Sequence, residues 1–338
     1  MTNLFNDPRK FRDEFLSGFL AAYSDRVVGV EGSYGVMRAD GPPVGRVAVL
    51  IGGGSGHYPT RCGFVGPGLA DIAVVGNTFV SPPSQQILRC TRAVNGGHGV
   101  IYLYGNYAGD RLNFDMAASE AESEGIAIRQ VVGCDDVASA PRGSEADRRG
   151  IAGDFFLFKI AGAAAESGRD LEGVAEAAQR ANAGSRSFGV AFSGCTLPGA
   201  REPLFVVKPG QMEVGLGIHG EPGVDTSQMG AADDVADLLV HKVLDSAPTD
   251  SGGRVAVLLN SLGRTNGEEL FVLYRKIKEL LDGAGLQTHH VIVDCLTSSL
   301  DMAGCSLSLL WLDDDLARLY DMPASAPAYT HHLVGGAR

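Results

Sequence analysis

Three short apolar runs, each rich in β-branched residues, end in a segment of glycine and polar residues. The runs and the segments after them are 46–51 with 52–57, 99–104 with 105–110, and 127–132 with 133–136. Helical patterns at 84–94 and 113–124 lie between them. This alternation predicts an α/β domain with a mostly parallel sheet flanked by helices. Because parallel strands end at a common edge where α/β proteins bind ligands, we expect the three segments to meet in one crevice.

The second half of the chain follows a different pattern. The apolar pattern of residues 154–182 predicts one long amphipathic helix, or two helices if Gly162 or Gly168 breaks it. Residues 182–187 have the composition of a linker. Strands are then predicted at 188–192, 204–207, 211–214, 254–259 and 291–294, with a helix at 267–281. We therefore expect two α/β domains. The first is 1–187, with a ligand pocket, and the second is 188–338, an α+β unit with a mixed or antiparallel sheet.

Composition excludes several classes of protein. The 338 residues include 28 basic and 40 acidic side chains, a net charge of −12, whereas nucleic-acid-binding faces are basic. No apolar run approaches the ~18 residues of a membrane span, and the first residues lack the pattern of a secretory signal. The six cysteines are scattered without a C-x-x-C pair. We therefore expect a cytoplasmic chain with reduced thiols, no metal site, and neither nucleic acid nor membrane as partner.

Two of the glycine segments carry candidate chemical groups. Segment 52–57 reads Gly-Gly-Gly-Ser-Gly-His, and its backbone N–H groups can line an oxygen-rich ligand. It lacks the Gly-Lys-Ser/Thr ending of a P-loop and fits the dinucleotide-binding fingerprint poorly. Two interpretations therefore remain open: a nucleotide-binding loop, for which the motif evidence is weak, and a tight turn with a hydrogen-bonded His57. Segment 105–110 ends in Asp110, which is either a proton acceptor for a hydroxyl or the N-cap of the next helix.

His219 lies in the most unusual segment, 215–223, where glycines precede and follow it. Flanking glycines expose an imidazole, and a neutral imidazole is a nucleophile or base near pH 7. An exposed loop histidine without a role is the competing interpretation. The pair Asp135 and Asp136 is either a metal ligand pair or a turn at a strand end.

Taken together, these segments resemble the dihydroxyacetone kinase family, specifically its ketose-binding K subunit or domain. The resemblance covers nearly the whole chain. Its landmarks, in chain order, are 52–57, 63–66 (Gly-Phe-Val-Gly), 79–82 (Phe-Val-Ser-Pro), 106–110 with 112–114, 135–138, 148–153 (Arg-Arg-Gly-Ile-Ala-Gly), 217–223 and 299–304 (Ser-Leu-Asp-Met-Ala-Gly).

The resemblance implies a role for each candidate residue. The family's covalent histidine matches His219, whose nitrogen adds to a ketone to form a hemiaminal. The family's acid/base pair matches His57 and Asp110, at the hydroxyl to be phosphorylated. Substrate contacts are expected from Gly54, Ser55, Gly56, Ser81 and Gly105.

The resemblance also implies partners. In the family, the nucleotide and Mg²⁺ belong to a separate helical L domain, so this chain is expected to bind no cofactor itself. The donor is ATP, or a bound ADP that a phosphotransfer relay recharges. A homodimer and an L-type partner are expected.

Departures from the family pattern affect the substrate. Gly105 stands where dihydroxyacetone-type members usually carry a lysine, and Tyr58 and Arg61 replace a glutamate and a histidine. A missing lysine opens space, which suits a four-carbon ketose such as erythrulose as well as dihydroxyacetone. The alternative function is that of a non-catalytic relative acting as a ligand sensor or coactivator.

Overall fold

The first sheet is built from the apolar runs of the first half of the chain. The computed structural model describes residues 4–221, 223–249 and 251–332. The strands of this sheet are β1 (Val27–Gly29), β2 (Gly35–Arg38), β3 (Ala48–Ser55), β4 (Ile72–Thr78), β5 (Val100–Gly105) and β6 (Ile128–Gly133). Their order is β1-β2-β4-β3-β5-β6, with β4, β3, β5 and β6 parallel and β1 and β2 antiparallel at one edge. The mostly parallel sheet is confirmed.

Helices cover both faces of this sheet. They are α1 (Phe11–Ala22), α2 (Ser84–Val94), α3 (Ala108–Ser123), α4 (Asp154–Glu166) and α5 (Leu171–Ala183), with 3-10 turns at Pro8–Lys10, Cys62–Phe64 and Glu145–Asp147. The predicted long helix is two helices. Gly168 separates them with a φ of 81°, a conformation that glycine adopts without a steric cost. Gly162 stays inside α4 and packs against the backbone of Leu69.

A second sheet follows directly. Its strands are β7 (Ser185–Ala191), β8 (Gln211–Val214), β9 (Asp225–Gln228), β10 (Arg254–Ser261), β11 (Gln287–Asp294) and β12 (Gly304–Trp311). The order is β11-β10-β12-β7-β8-β9, and the pairing of β10 with β11 is parallel whereas the other four are antiparallel. The remaining elements are α6 (Ala232–Leu244), α7 (Gly267–Gly283), α8 (Asp314–Asp321) and a hairpin of β13 (Ala324–Ala326) and β14 (Tyr329–His331). The mixed sheet is confirmed.

Two local predictions are wrong. Residues 182–187 are not a linker, because α5 continues to Ala183 and β7 begins at Ser185. Residues 204–207 form no strand. Leu204 and Val206 are 45% and 73% exposed, and Phe205 between them is only partly buried against a small cluster, so this run has little buried surface to hold it in a sheet.

The two sheets share a core. Alternate residues of β3 face opposite ways: Leu50 packs with α2 and α3, whereas Ile51 joins the cluster of α4 and α5. That same cluster includes Leu258 of β10 and Leu310 of β12, so α4 and α5 lie between the sheets. A further cluster packs α6 and α7 on the outer face of the second sheet. The division of the chain at 187/188 remains a prediction. No helix in the described ranges is long and apolar enough to cross a bilayer.

Candidate active site

Segment 52–57 lies at the carboxyl edge of the first sheet. Its glycines continue strand β3 as far as Ser55 instead of forming a tight turn. A Cβ on Gly54 would lie 2.8 Å from the backbone nitrogen of Val80, so the close approach of the loop after β4 requires glycine here. That loop places the ring of Phe79 beside the side chain of His57, with ring centroids 4.8 Å apart.

His57 is fully buried and held in one orientation. Its Nδ1 donates to the carbonyl oxygen of Ser298 at 2.9 Å, so the neutral ring carries its lone pair on Nε2. Burial, with His219 and Arg61 nearby, lowers the pKa of His57 well below its ordinary value. Nε2 has no hydrogen-bond partner among the described residues. The side chain is thus a neutral imidazole with a free acceptor nitrogen.

His219 faces His57 at the start of a loop of the second sheet. The two ring centroids are 4.6 Å apart, with the planes at 86°. Nδ1 of His219 lies 3.1 Å from Oε1 of Glu221, and the backbone N–H of His219 donates to Oε2 at 2.8 Å. Burial opposes ionisation of Glu221, but the hydrogen bonds from His219 outweigh it and lower the pKa of Glu221 to about 2. The carboxylate therefore holds the proton on Nδ1 and directs the lone pair of His219 to Nε2.

The loop that joins β11 to β12 fixes both histidines. The carbonyl of Ser298 accepts from His57, and the hydroxyl of Ser299 donates to the carbonyl of Ile218 at 2.6 Å. The backbone N–H of Leu300 donates to the carbonyl of Gly56 at 2.9 Å. One loop thus sets the distance between the two imidazoles.

Asp110 is the third residue of α3 and not its N-cap, which is Tyr107. The carboxyl group is buried, and its Oδ1 lacks a partner within the described part of the chain. Burial raises its pKa, although Ser81, Arg61 and His219 act in the opposite direction. A raised pKa brings a carboxylate closer to the range where a general base works at neutral pH.

Gly105, the last residue of β5, borders the same site. A Cβ there would lie 3.0 Å from Oδ2 of Asp154 and 3.1 Å from the ring of Tyr107. The Tyr107 ring centroid lies 4.3 Å from that of His219. Asp154 itself is 4% exposed, and burial, with Asp135 nearby, raises its pKa well above the ordinary value.

Buried polar atoms without a partner collect at this edge. Fewer than about one in ten buried polar groups lacks a partner in native proteins, so a cluster of them requires an explanation. The atoms here are Oγ of Ser55, Nε2 of His57, Nε and Nη1 of Arg61, Oδ1 of Asp110 and Oδ1 of Asp154. Donors and acceptors are both present, which suits a small ligand with hydroxyl and carbonyl groups.

Backbone strain collects here as well. Within the described ranges, the non-glycine residues with positive φ are Arg61 at 89°, Phe79 at 59° and Leu300 at 53°. Each of them lies in a loop that contacts the segment of His57. Such conformations cost about 1–3 kcal/mol each and concentrate at functional sites.

Sequence reasoning selected much of this site. The structure brings together His219, His57 and Asp110, and it places Gly54, Ser55, Gly56, Ser81 and Gly105 around them, at the ends of β3 and β5 and on the loops that follow β3 and β4. Ser81 lies next to Gly109, and its hydroxyl accepts a hydrogen bond from Asn113. The chemical roles of all eight residues remain predictions.

Other contributors were missed: Glu221, Tyr107, Phe79, Asp154 and Ser298. Glu221 had a detectable signal, since an acidic residue two positions after a glycine-flanked histidine can reach its ring. Asp135 and Asp136 form a turn: Asp135 accepts backbone N–H bonds from Ile151 and Gly153, and Asp136 pairs with Arg149. Within the described ranges no group of three or more His, Cys, Asp and Glu side chains could hold a metal ion.

Comparisons with known proteins agree with this geometry. The model of the Dak1 domain matches residues 17–328. The chain is 54% identical to the D-erythrulose kinase of Mycolicibacterium smegmatis and 49% identical to the L-erythrulose kinase of Pectobacterium atrosepticum. Each match covers 97% of this chain and 56% of the relative, so the chain spans about half the length of these kinases. It is 40% identical to a dihydroxyacetone-binding subunit DhaK of Listeria innocua, over 97% of this chain and 99% of that subunit.

Solved structures show the same fold. The dihydroxyacetone kinase of C. freundii superposes with a TM-score of 0.91 and 33% identity, over 98% of this chain and 61% of that one. A dihydroxyacetone kinase operon co-activator, DhaQ, superposes with a TM-score of 0.88 and 30% identity, over 94% of this chain and 98% of that one. By its matching domain, its identity to relatives and its fold, the chain belongs to the family of proteins built on the Dak1 domain.

Proposed function

We propose that this chain is the substrate-binding part of a short-chain ketose kinase. The observation that carries the proposal is the arrangement of His219: its Nδ1 is held by Glu221, and the unpartnered Nε2 of His57 and Oδ1 of Asp110 lie around it. The named relatives that are erythrulose and dihydroxyacetone kinases support the same conclusion.

His219 captures the ketone in this proposal. The lone pair on Nε2 forms a bond to the carbonyl carbon, the π electrons of the carbonyl move to its oxygen, and that oxygen takes up a proton from solvent. The product is a hemiaminal whose imidazolium ring keeps its proton on Nδ1. The ionised Glu221 balances the new positive charge at 3.1 Å. Capture requires a ketone or an aldehyde, so a simple polyol such as glycerol is rejected.

Asp110 and His57 act on the hydroxyl that receives the phosphoryl group. Covalent capture fixes the ketose and so supplies orientation that a small ligand cannot obtain from buried area. The ionised Asp110 accepts the hydroxyl proton as oxygen attacks the phosphoryl donor, and neutral His57 accepts a hydrogen bond through Nε2. Gly54, Ser55, Gly56 and Ser81 provide the surrounding polar contacts.

A second unit completes the kinase in this proposal. An L-type domain or subunit carries the nucleotide, as ATP or as ADP recharged by a relay, together with Mg²⁺, and the nucleotide supplies the phosphoryl group. The Dak1 unit is expected to be a homodimer. A four-carbon ketose is the favoured substrate, because the relatives at 54% and 49% identity are named erythrulose kinases and because Gly105 carries no side chain where dihydroxyacetone-type members usually carry a lysine.

The test compares capture with turnover. Intact-protein mass spectrometry under gentle conditions measures the ketone adduct, and addition of an L-type unit with ATP and Mg²⁺ measures phosphorylation. His219→Ala should abolish the adduct, whereas Asp110→Asn should keep it and lower turnover by roughly 10²–10⁴-fold. His241→Ala, at a surface histidine of α6, is the matched control.

Two outcomes would overturn these assignments. An adduct that persists in His219→Ala would identify another nucleophile, and unchanged turnover in Asp110→Asn would remove that residue as the base. The similarity to the DhaQ co-activator makes a ligand sensor the second candidate. Ketone capture without turnover in the presence of the L-type unit would favour it.

A further inference from the structure

Arg61 is a buried cation without a described counter-ion. Its residue is 3% exposed, yet Nε and Nη1 have no hydrogen-bond partner among the described residues. The guanidinium lies against the backbone of Gly53, where a Cβ would come within 2.3 Å of Nη2. Burying an unpaired charge costs several kcal/mol, so a buried charge of this kind is expected where a ligand supplies the missing hydrogen-bond partners. Arg61 also affects the ionisation of both His57 and Asp110, which places it beside the reacting groups.

Asp154 is the second buried group in this part of the site. Its Oδ1 lies in a cradle of glycines, because a Cβ would come within 1.8 Å of it at Gly133 and within 2.6 Å at Gly150. Its Oδ2 borders Gly105 at the end of β5. Oδ1 has no partner within the described residues, although Arg61 is near enough to affect its ionisation. Neither unpartnered nitrogen of Arg61 hydrogen-bonds to a carboxyl oxygen of the described residues, so donors and an acceptor that lack partners lie in the same part of the site.

We infer that Arg61 and Asp154 form a hydroxyl-binding subsite that selects a four-carbon ketose over dihydroxyacetone. The inference rests on the proposed function, because it requires the ketone to be held on His219. A hydroxyl both donates and accepts, so it bridges the Arg61 guanidinium and the Asp154 carboxyl group. Dihydroxyacetone has one hydroxyl on each side of its carbonyl. A tetrulose has one more hydroxyl-bearing carbon, and this subsite receives the additional group.

Charge and space define the ligand class further. Burial raises the pKa of Asp154 well above its ordinary value, so its carboxyl group is favoured in the neutral form, which suits the hydroxyl of a neutral polyol. Gly105 allows the close packing of this region, since a Cβ there would lie 3.0 Å from Oδ2 of Asp154 and 3.1 Å from the Tyr107 ring. Arg61, Asp154 and Gly105 thus act together on substrate choice, apart from the groups that perform the chemistry.

The test measures adduct formation with dihydroxyacetone, D-erythrulose and L-erythrulose by intact mass spectrometry of the full chain. Arg61→Met keeps an unbranched stem, although a shorter one, and removes the donors of the side chain. It should weaken capture of the preferred erythrulose by roughly 10–100-fold and change capture of dihydroxyacetone by less than about 3-fold. Asp154→Asn removes the carboxyl group from the same subsite without deleting volume and should shift the preference in the same direction. Gly105→Ala should also disfavour erythrulose, because its Cβ would press against Oδ2 of Asp154.

The control is Arg12→Met, which removes another buried arginine, paired with Asp13 and without a described contact with His57, Asp110 or His219. Capture of dihydroxyacetone shows that each variant is folded. If Arg61→Met does not fold, the selectivity of Asp154→Asn tests the proposed subsite instead. Equal losses for all three ketones, or unchanged selectivity in a folded variant, would overturn the subsite. Failure of the proposed function looks different, because wild-type protein would then form no adduct with any ketone.

Discussion

Replacing Glu221 with glutamine removes the charge that faces the imidazolium of the captured ketone. A pKa of about 2 in place of the ordinary 4.5 corresponds to roughly 3 kcal/mol of preferential stabilisation of the ionised carboxylate. The hydrogen bond and the charge of His219 are the leading contributions that favour ionisation. Because the adduct carries its positive charge on this ring, Glu221→Gln should weaken ketone capture by roughly 100-fold.

The assay is a titration of the full chain with the ketone, followed by intact mass spectrometry. Glutamine fits the same space, but the lowered pKa of Glu221 also means that its charge stabilises the folded chain at neutral pH, so the variant should unfold at a lower temperature than wild type. The matched control is Glu213→Gln on β8, whose carboxylate accepts a hydrogen bond from Thr226 and has no described contact with His219. Capture within about twofold of wild type in Glu221→Gln would refute the electrostatic reasoning, since the expected loss of roughly 3 kcal/mol cannot pass unnoticed.

Three further predictions concern stability and reactivity. The pKa of Asp154 is raised in the folded chain, so the folded chain keeps a proton on this carboxyl group at pH values where the unfolded chain has lost it. The stability of the wild-type chain therefore falls as the pH rises above the ordinary pKa of an aspartate. In urea denaturation, the stability of Asp154→Asn relative to wild type should rise with pH above about 4, by at most about 1.4 kcal/mol per pH unit, and a flat difference would contradict the burial argument. Gly18→Ala in α1 should stabilise the chain by roughly 1 kcal/mol, because the added Cβ meets no other atom. Gly162→Ala should destabilise the chain by roughly 1–3 kcal/mol, because its Cβ would lie 2.4 Å from the carbonyl oxygen of Leu69. If both substitutions changed stability in the same direction, the packing argument would be wrong. Burial raises the pKa values of the Cys62 and Cys305 thiols to about 12, so alkylation followed by mass spectrometry should modify both only after unfolding.

The sequence predicted the elements whose residues are consistently apolar. The helix at 84–94 was placed on its observed bounds, and the strands at 99–104 and 127–132 were within one residue. Residues 52–55 were expected to leave the strand, yet they pair with β4 along their length. Strand conformation there depends on neighbouring strands and not on the weak intrinsic preference of glycine. For the same reason residues 204–207, which pair with no neighbouring strand, do not form a strand.

The candidate site was predictable where a single segment carries the signal. His219 and its flanking glycines form one such segment, and so do the glycines before His57. Asp154 could not be recognised in the same way, because it reads as the first residue of an apolar helix. Its relation to Gly105 and Gly133 exists only after β5 and β6 pair and α4 packs beside their ends. Contacts of that kind depend on tertiary structure and leave no local pattern.

Because Arg61, Phe79 and Leu300 have left-handed backbone conformations, substitutions that raise thermal stability at these positions are expected to lower activity. Glycine adopts these conformations freely, so a search for more stable variants would favour glycine at all three positions. Each such change would also remove a side chain or a rigid loop from the surroundings of His57. A library screened for heat resistance alone should therefore accumulate proteins that fold well and capture ketones poorly. Directed evolution of this chain is better served by stabilising α7, whose residues have no described contact with His57, Asp110 or His219.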